Sequence, residues 1–318
     1  MSPSPQYVEY GARTTAPPPF SFKEGRFRGY LIEGDATLIA KLCERVLNVP
    51  AAGAASYTPM LGKFVLLQAG HFGRIASLDP SFVNWGYAEE SQLSLFIPVL
   101  ATGGGAGDRV CMFCPYMLVD NPVSLSGGRE IYGYPKSLGR FDPAGGLGDP
   151  LAVEAFGGDF GTANRAGWRP LFRLARSPSA AAAQGAAGQS EQTWYELGQT
   201  LPRLGSLAAL ENLALLDLGA LEAIIRALVG KQSMGVFLKQ FRDAGGGPGA
   251  CYRKIVEAPL EYVTSSISPS FDQWKVVIDH LDTDPIAREL GISSPQYTRA
   301  TFDARMEVIA PGGGVVAP

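Results

Sequence analysis

The sequence is short of the residues on which most metal and hydrolase sites are built. Its 318 residues include two histidines, His71 and His280, and four cysteines, Cys43, Cys111, Cys114 and Cys251. The histidines stand far apart and neither has a Cys or carboxylate at ligand spacing, so a histidine-based zinc site or a Ser-His triad is poorly supplied. Four cysteines in a chain of this length, with no export signal to read, do not make a disulfide framework, and thiols are expected. Long apolar runs are missing as well; no stretch approaches the roughly 18 uninterrupted apolar residues of a membrane helix. Basic residues do not cluster, and a formal charge of −3 with a pI near 5.6 argues against a surface that neutralises phosphates. Neither nucleic acid nor a membrane is expected as a partner, and the cytoplasm is the expected location.

What is present suits a globular chain with a full core: 46% of residues are hydrophobic and 18% charged. Length alone allows one large domain or two. Residues 1–19 are rich in Pro, Ser and Tyr, lack the basic stretch and apolar run of a signal peptide, and read as a loose arm. Arg26 to Ile32 is aromatic and β-prone. Gly34-Asp35-Ala36-Thr37 then offers N-cap chemistry ahead of Leu38, Ile39, Leu42, Val46 and Leu47 at helical spacing. Phe64 to Ala69, Leu93 to Leu100 and Val110 to Val119 are runs of β-formers bounded by Gly, Pro or Asp, as buried strands are. Ser177 to Gln192, almost all Ala, Gly, Ser and Gln, cannot bury enough surface to offset its ordering entropy and reads as a flexible surface insertion. Leu201 to Leu228 has leucines stepping by three, the pattern of a helix that packs on the core or meets another copy of the chain. Tyr252 to Tyr262 and Phe302 to Ile309 alternate like strands again, after the glycine-rich turn from Ala244 to Gly249.

Four local patterns invite a chemical reading, and three of them fail it. Thr102 to Asp108 is glycine-rich but lies between two strands, with no helix N-terminus to bind a phosphate, so a hairpin connection is expected. Gly230-Lys231 lacks the flanking residues of a P-loop. Cys111 and Cys114 have the spacing of a redox or metal pair, yet they sit in an apolar strand without a second pair, and alternation sends them to opposite faces. Lys136 is the fourth: aromatic and small residues surround it where a solvated lysine has polar neighbours. Burial disfavours a charged ammonium, which is what a nucleophilic amine needs near neutral pH. Spacing alone leaves a surface lysine and a buried nucleophile both open.

The run Gly128-Arg129-Glu130-Ile131-Tyr132-Gly133-Tyr134-Pro135-Lys136 resembles the active-site signature of the acetoacetate decarboxylase superfamily. Pro115 to Asn121 and Phe96-Ile97-Pro98-Val99 are similar to the segments that precede that signature. Val236 to Gln240, Tyr252 to Leu260 and Asp284 to Leu290 are similar to the family's C-terminal pattern. The resemblance implies an α+β, mainly β fold. It would be a cone-shaped β-barrel with flanking helices, forming one domain over residues 20–318 with a flexible and helical insertion at about 177–228, and assembling into homo-oligomers. It implies a Schiff base between Lys136 and a small-molecule keto acid, with no external cofactor or metal. The protonated imine accepts the electron pair of a breaking carbon–carbon bond, a lysine chemistry for which acetoacetate decarboxylase is the standard example.

By the same resemblance Arg28, with Arg26 as the alternative, would grip a substrate carboxylate. Gln68 and Gln92 would stand where the family lines its pocket with glutamates, although a short shift would bring in Glu90. Glu130 would serve the polar shell, with an ion pair to Arg129 or Arg140 as its structural role. Tyr132 and Tyr134 would share the face of Lys136 if the segment is extended, to orient substrate or simply to pack. The sequence departs from the family at Ser137, where the decarboxylases carry a second lysine directly after the nucleophile. Four readings remain: a decarboxylase-type carbon–carbon lyase acting on a keto acid other than acetoacetate, an aldolase-dehydratase on the same scaffold, a non-catalytic binder of small molecules, and a hydrolase that uses Glu89, Glu90 or Glu130 with water.

Overall fold

The structure is a computed structural model that describes residues 7–8, 15–104, 107–177, 232–270 and 272–317. Among the described residues the fourteen strands are β1 (Phe20–Glu33), β2 (Ala55–Pro59), β3 (Phe64–Ser77), β4 (Ala88–Gly103), β5 (Arg109–Val119), β6 (Lys136–Asp142), β7 (Leu151–Gly157), β8 (Gly167–Arg176), β9 (Gln232–Arg242), β10 (Ala250–Ser270), β11 (Trp274–Ile278), β12 (Gln296–Tyr297), β13 (Ala300–Ala310) and β14 (Gly314–Ala317). Helices are short among the described residues, and none is long and apolar enough to cross a membrane.

Seven of the strands close on themselves. The order β5-β9-β10-β13-β1-β3-β4 returns to β5 through a β4–β5 pairing, which gives a barrel-like ring. All pairings in the ring are antiparallel except β5 with β9, where Met112 and Phe113 lie beside Gly235 and Val236. Beyond Tyr116, β5 changes partner: Met117, Leu118 and Val119 pair in parallel with Lys136, Ser137 and Leu138 of β6. From there β6, β7, β8, β11 and β12 leave the ring as a second, antiparallel sheet.

The main core lies between that second sheet and the outer face of the ring. Tyr30, Ile32, Val65, Leu67, Leu93 and Leu95 from the ring meet Leu151, Val153, Phe172, Leu174, Trp274 and Val276 from the sheet, all buried. Tyr30 meets Trp274 edge to face at 5.4 Å between ring centres, one of the favoured aromatic geometries. The helix Ala36–Cys43 begins as its sequence predicts, with the Asp35 carboxylate accepting from the Thr37 and Leu38 amides at 2.8 and 2.9 Å. It buries Ile39, Leu42 and Cys43 in the same core.

The expected strands fall inside β1, β3, β4, β5, β10 and β13, and the mainly β expectation holds. The glycine-rich stretch from Thr102 joins the antiparallel neighbours β4 and β5 as a hairpin, with Gly105 and Ala106 outside the described residues. Cys111 packs in the outer core and Cys114 in the cluster inside the ring, on opposite faces as period-two alternation predicts. Sequence patterns did not show the second sheet. The insertion expected from residue 177, the Leu201–Leu228 helix and most of the 1–19 arm lie outside the described residues.

Candidate active site

The interior of the ring is a cavity of about 510 Å3 to which all seven strands contribute. Lys136 reaches it from the place where β6 leaves the ring. As the first residue of β6 it pairs with Met117, and its side chain points inward with 6% of the residue exposed. Its Nζ donates to Glu90 Oε2 at 2.8 Å and to Ser124 Oγ at 2.6 Å, and it lies 5.7 Å from the centre of the Tyr134 ring. Glu90 is 1% exposed. Lys136 and Glu90 are the only charged side chains that line the described cavity, and each is the other's partner.

The approach to Lys136 is helical, not extended. Asn121 caps a short helix, Pro122–Gly127, by accepting from the Val123 and Ser124 amides, and this places Ser124 over the amine. A wider turn follows over Gly128–Tyr132, and Gly133 reverses the chain at φ 88°, a left-handed conformation open to glycine. At Gly128 an added Cβ would stand 2.9 Å from Lys136 Cδ and Cε, so glycine gives the lysine its passage. Arg129 Nη1 donates to the Lys136 carbonyl at 2.9 Å and fixes the backbone from which the lysine projects.

The expected polar shell divides. Glu90 and Gln92, two apart on β4, both face the cavity, so the choice between them resolves as both. Gln68 faces it from β3. Neither glutamine amide takes a hydrogen-bond partner among the described residues. Tyr132 also lines the cavity, but not by extended alternation: its hydroxyl is shared between the Ala310 and Pro311 carbonyls at 3.1 and 3.0 Å, which makes it an anchor. Burial pushes the Tyr134 phenol up, and the ring packs at a tilt against Phe237 with 3.9 Å between ring centres, so it is a neutral wall beside the amine.

Two expectations are corrected. Arg28 lies on the outer face of β1, paired with Asp303 at 2.8 Å and stacked 4.9 Å over Trp274, because it alternates with Phe27, which points into the cavity. Arg26 is exposed, and no arginine lines the described cavity. Glu130 also lies outside; it accepts from the Tyr7 hydroxyl at 2.8 Å. Ser137, where the family carries its second lysine, alternates away from the cavity and lies 3.5 Å from Asp284. Sequence patterns gave no role to Ser124 or to the aromatic pair Trp85 and Tyr87 at the rim, and marked Arg129 only as part of the signature and a partner for Glu130. Of the three without a role only Ser124 had a local cue, the Asn-Pro helix start just before it.

Residues 74–155, the span that holds Glu90, Gln92, Ser124 and Lys136, match the family model "Acetoacetate decarboxylase (ADC)". No curated protein sequence matches the chain. Among solved structures it is similar to an acetoacetate decarboxylase from Legionella pneumophila, with 15% identity and a TM-score of 0.54 over 99% of this chain and 92% of that one. It is also similar to the enduracididine biosynthesis enzyme MppR, with 11% identity and a TM-score of 0.51 over 96% and 91%. A second structure of that enzyme, complexed with pyruvate, gives 11% identity and a TM-score of 0.50 over 96% and 93%. At these identities the likeness is one of fold. The family match is confined to residues 74–155, the segment that holds Lys136, and the likeness over the rest of the chain is one of fold.

Proposed function

We propose that the protein is a Schiff-base carbon–carbon lyase acting on a keto acid, with Lys136 as the nucleophile and Glu90 as its proton carrier. The observation that carries this reading is the buried Lys136–Glu90 pair at 2.8 Å inside an otherwise apolar cavity. An ammonium cannot attack a carbonyl, and Glu90 is the group placed to take its proton. The freed amine adds to the ketone, and a proton moves from nitrogen to oxygen to give a carbinolamine. Glu90 returns its proton to the departing hydroxyl, which leaves as water and yields the iminium ion. Net, one ketone and one ammonium become one iminium and one water, and Glu90 ends ionised as it began. The iminium then accepts the electron pair of the neighbouring carbon–carbon bond. With a 3-oxo acid the carboxylate leaves as CO2 and an enamine remains; protonation at carbon and hydrolysis return the lysine.

Glu90 also supports a second reading on the same scaffold. Loss of CO2 needs no base, whereas aldol cleavage or condensation needs one to move the hydroxyl proton, and a carboxylate beside the imine supplies it. The test common to both is borohydride trapping with a panel of keto acids, followed by mapping of the adduct. The expected result is a reduced adduct on Lys136, lost in Lys136→Ala. Absence of an adduct with every compound, in a protein shown to be folded, refutes the Schiff-base reading.

A further inference from the structure

We infer that the substrate carries a long apolar tail and no charge beyond the group at its reacting end. The inference rests on the Schiff-base reading for the head of the substrate and on the shape and lining of the cavity for its tail.

The cavity is long, and the amine stands near one end of it. Along β13 the lining residues run by alternation from Phe302 to Ala310, eight rises of roughly 3.3 Å, or about 26 Å of strand. Ala310 marks the Lys136 end, since its carbonyl accepts from Tyr132 of the turn that leads to the lysine. On β4 the lining from Glu90, bonded to the amine, to Phe96 covers about 20 Å of the same wall. A bound carbonyl at Lys136 therefore has most of the cavity ahead of it. The volume, about 510 Å3, has room for about 17 groups the size of a water molecule, more than twice what acetoacetate fills. It falls in the range of pockets that enclose ligands of many atoms.

The lining decides what kind of tail fits. Beyond Lys136 and Glu90 there is no ionised group in the described wall to meet a second charge. An unpaired charge buried there is strongly disfavoured. The wall beyond the amine is made of side chains such as Leu66, Phe96, Met112, Phe302 and Ala304. Gln68 and Gln92 are neutral amides that suit a hydroxyl or carbonyl at mid-tail. At the entrance Trp85, Tyr87 and Val123 expose 47%, 56% and 47% of their surface, an apolar rim of the kind a greasy molecule enters by.

Two series of 3-oxo acids, one with straight alkyl tails from four to about twelve carbons and one with arylalkyl tails, test this on the whole protein. The first readout is the borohydride trapping rate per unit substrate concentration. The second is the thermal shift given by the matched alcohols, which form no imine. Burial of each methylene predicts a rise of about fourfold in trapping until the cavity fills, and a growing thermal shift with the alcohols. The series that rises further identifies the tail as alkyl or aryl. Ala304→Phe, which obstructs the far end, is expected to lower the ratio of long-chain to short-chain trapping at least tenfold. If that variant does not fold, the wild-type series decides alone. Trapping that is flat or falls with chain length overturns the inference, as does an analogue with a terminal carboxylate that reacts as well as its apolar counterpart. Thermal shifts that grow with chain length, without an adduct from any acid, refute the lysine reading and leave the tail assignment standing. Adducts from short acids alone do the reverse.

Discussion

Replacing Lys136 by methionine removes half of a buried ion pair and leaves Glu90, 1% exposed, as a carboxylate without a counter-ion. At 2.8 Å and an effective dielectric near 20, the two charges attract by about 6 kcal/mol. Desolvation of each ion costs several kcal/mol in the other direction, so the intact pair contributes little net stability. The asymmetry appears when one partner is lost. The expected loss for Lys136→Met is about 3–5 kcal/mol, because the desolvation cost of Glu90 persists and the attraction that offset it does not. The double variant Lys136→Met with Glu90→Leu removes both charges and fills similar volume in an apolar wall, so it is expected to recover most of that loss. Urea unfolding followed by tryptophan fluorescence, with the four proteins of the cycle at one pH, measures the coupling between the two sites. Conservative Glu90→Gln adds the functional arm, with imine trapping slowed by about 100-fold or more if Glu90 carries the proton. The reasoning is refuted if Lys136→Met stays within about 0.5 kcal/mol of wild type, or if the double variant loses the sum of the two singles. Wild-type trapping in Glu90→Gln would remove Glu90 from the mechanism.

Gly128→Ala keeps a helical backbone, φ −63° and ψ −40°, but sets a methyl 2.9 Å from Lys136 Cδ and Cε. The lysine side chain must move, so trapping is expected to fall by about tenfold or more, and the urea midpoint to fall to the extent that its contact with Glu90 is lost. Arg28→Ala tests the placement of that arginine outside the cavity: trapping should match wild type, with a stability loss of about 1 kcal/mol from the exposed pair with Asp303 and the contact with Trp274. Thiol chemistry reads burial directly. Burial pushes Cys43 and Cys111 up to about 12 and Cys114 higher still, so at pH 8 Cys251 alone should react quickly in the native protein and all four thiols in denaturant. A second fast native thiol would contradict the packing described.

The parts of the site that the sequence disclosed are those that depend on contiguous residues or on strand alternation. Lys136 stands in a continuous signature, and Glu90 with Gln92 share a face because they are two apart on a strand, while Glu89 just before them is exposed. Arg28 was misplaced although the same rule applied: Phe27 beside it is the residue that faces inward. The extended reading of residues 128–136 failed for a different reason. That segment spans a gap in the ring, and its path is set by the Asn121 cap, the turn at Gly128–Tyr132 and the left-handed Gly133, none of which has a period. Ser124 reaches the amine only through that path. The second sheet escaped because its strands are short and interrupted, with Arg140, Arg169, Pro170 and Arg173 among the residues of β6 and β8.

Seven strands make a narrow ring, one in which side chains would ordinarily fill the interior. This ring stays hollow because its aromatic residues lie down. The Phe72 ring covers Gly25, Phe302 covers Gly29, Phe27 covers Gly70 and Phe237 covers Gly235, and at each of these glycines a Cβ would collide with the ring above it. An aromatic side chain laid across a glycine follows the wall where one over a larger neighbour would stand into the axis, so large apolar residues here line a cavity instead of filling it. The opening through which Lys136 enters has an equally local origin. Pro115 has no N–H for the ladder, and the register between β4 and β5 shifts there, between the Leu95–Tyr116 and Ile97–Phe113 pairs. On one side of that break β5 pairs with β9 and closes the ring; on the other it pairs with β6 and leads the sheet away. Lys136 is the first residue of the departing strand, so its backbone is held by the ladder and by Arg129 while its side chain crosses the gap. Hollow interior and anchored lysine thus come from separate features, four glycine–aromatic pairs and one proline. A substitution that spoils the cavity should therefore leave the position of the amine intact.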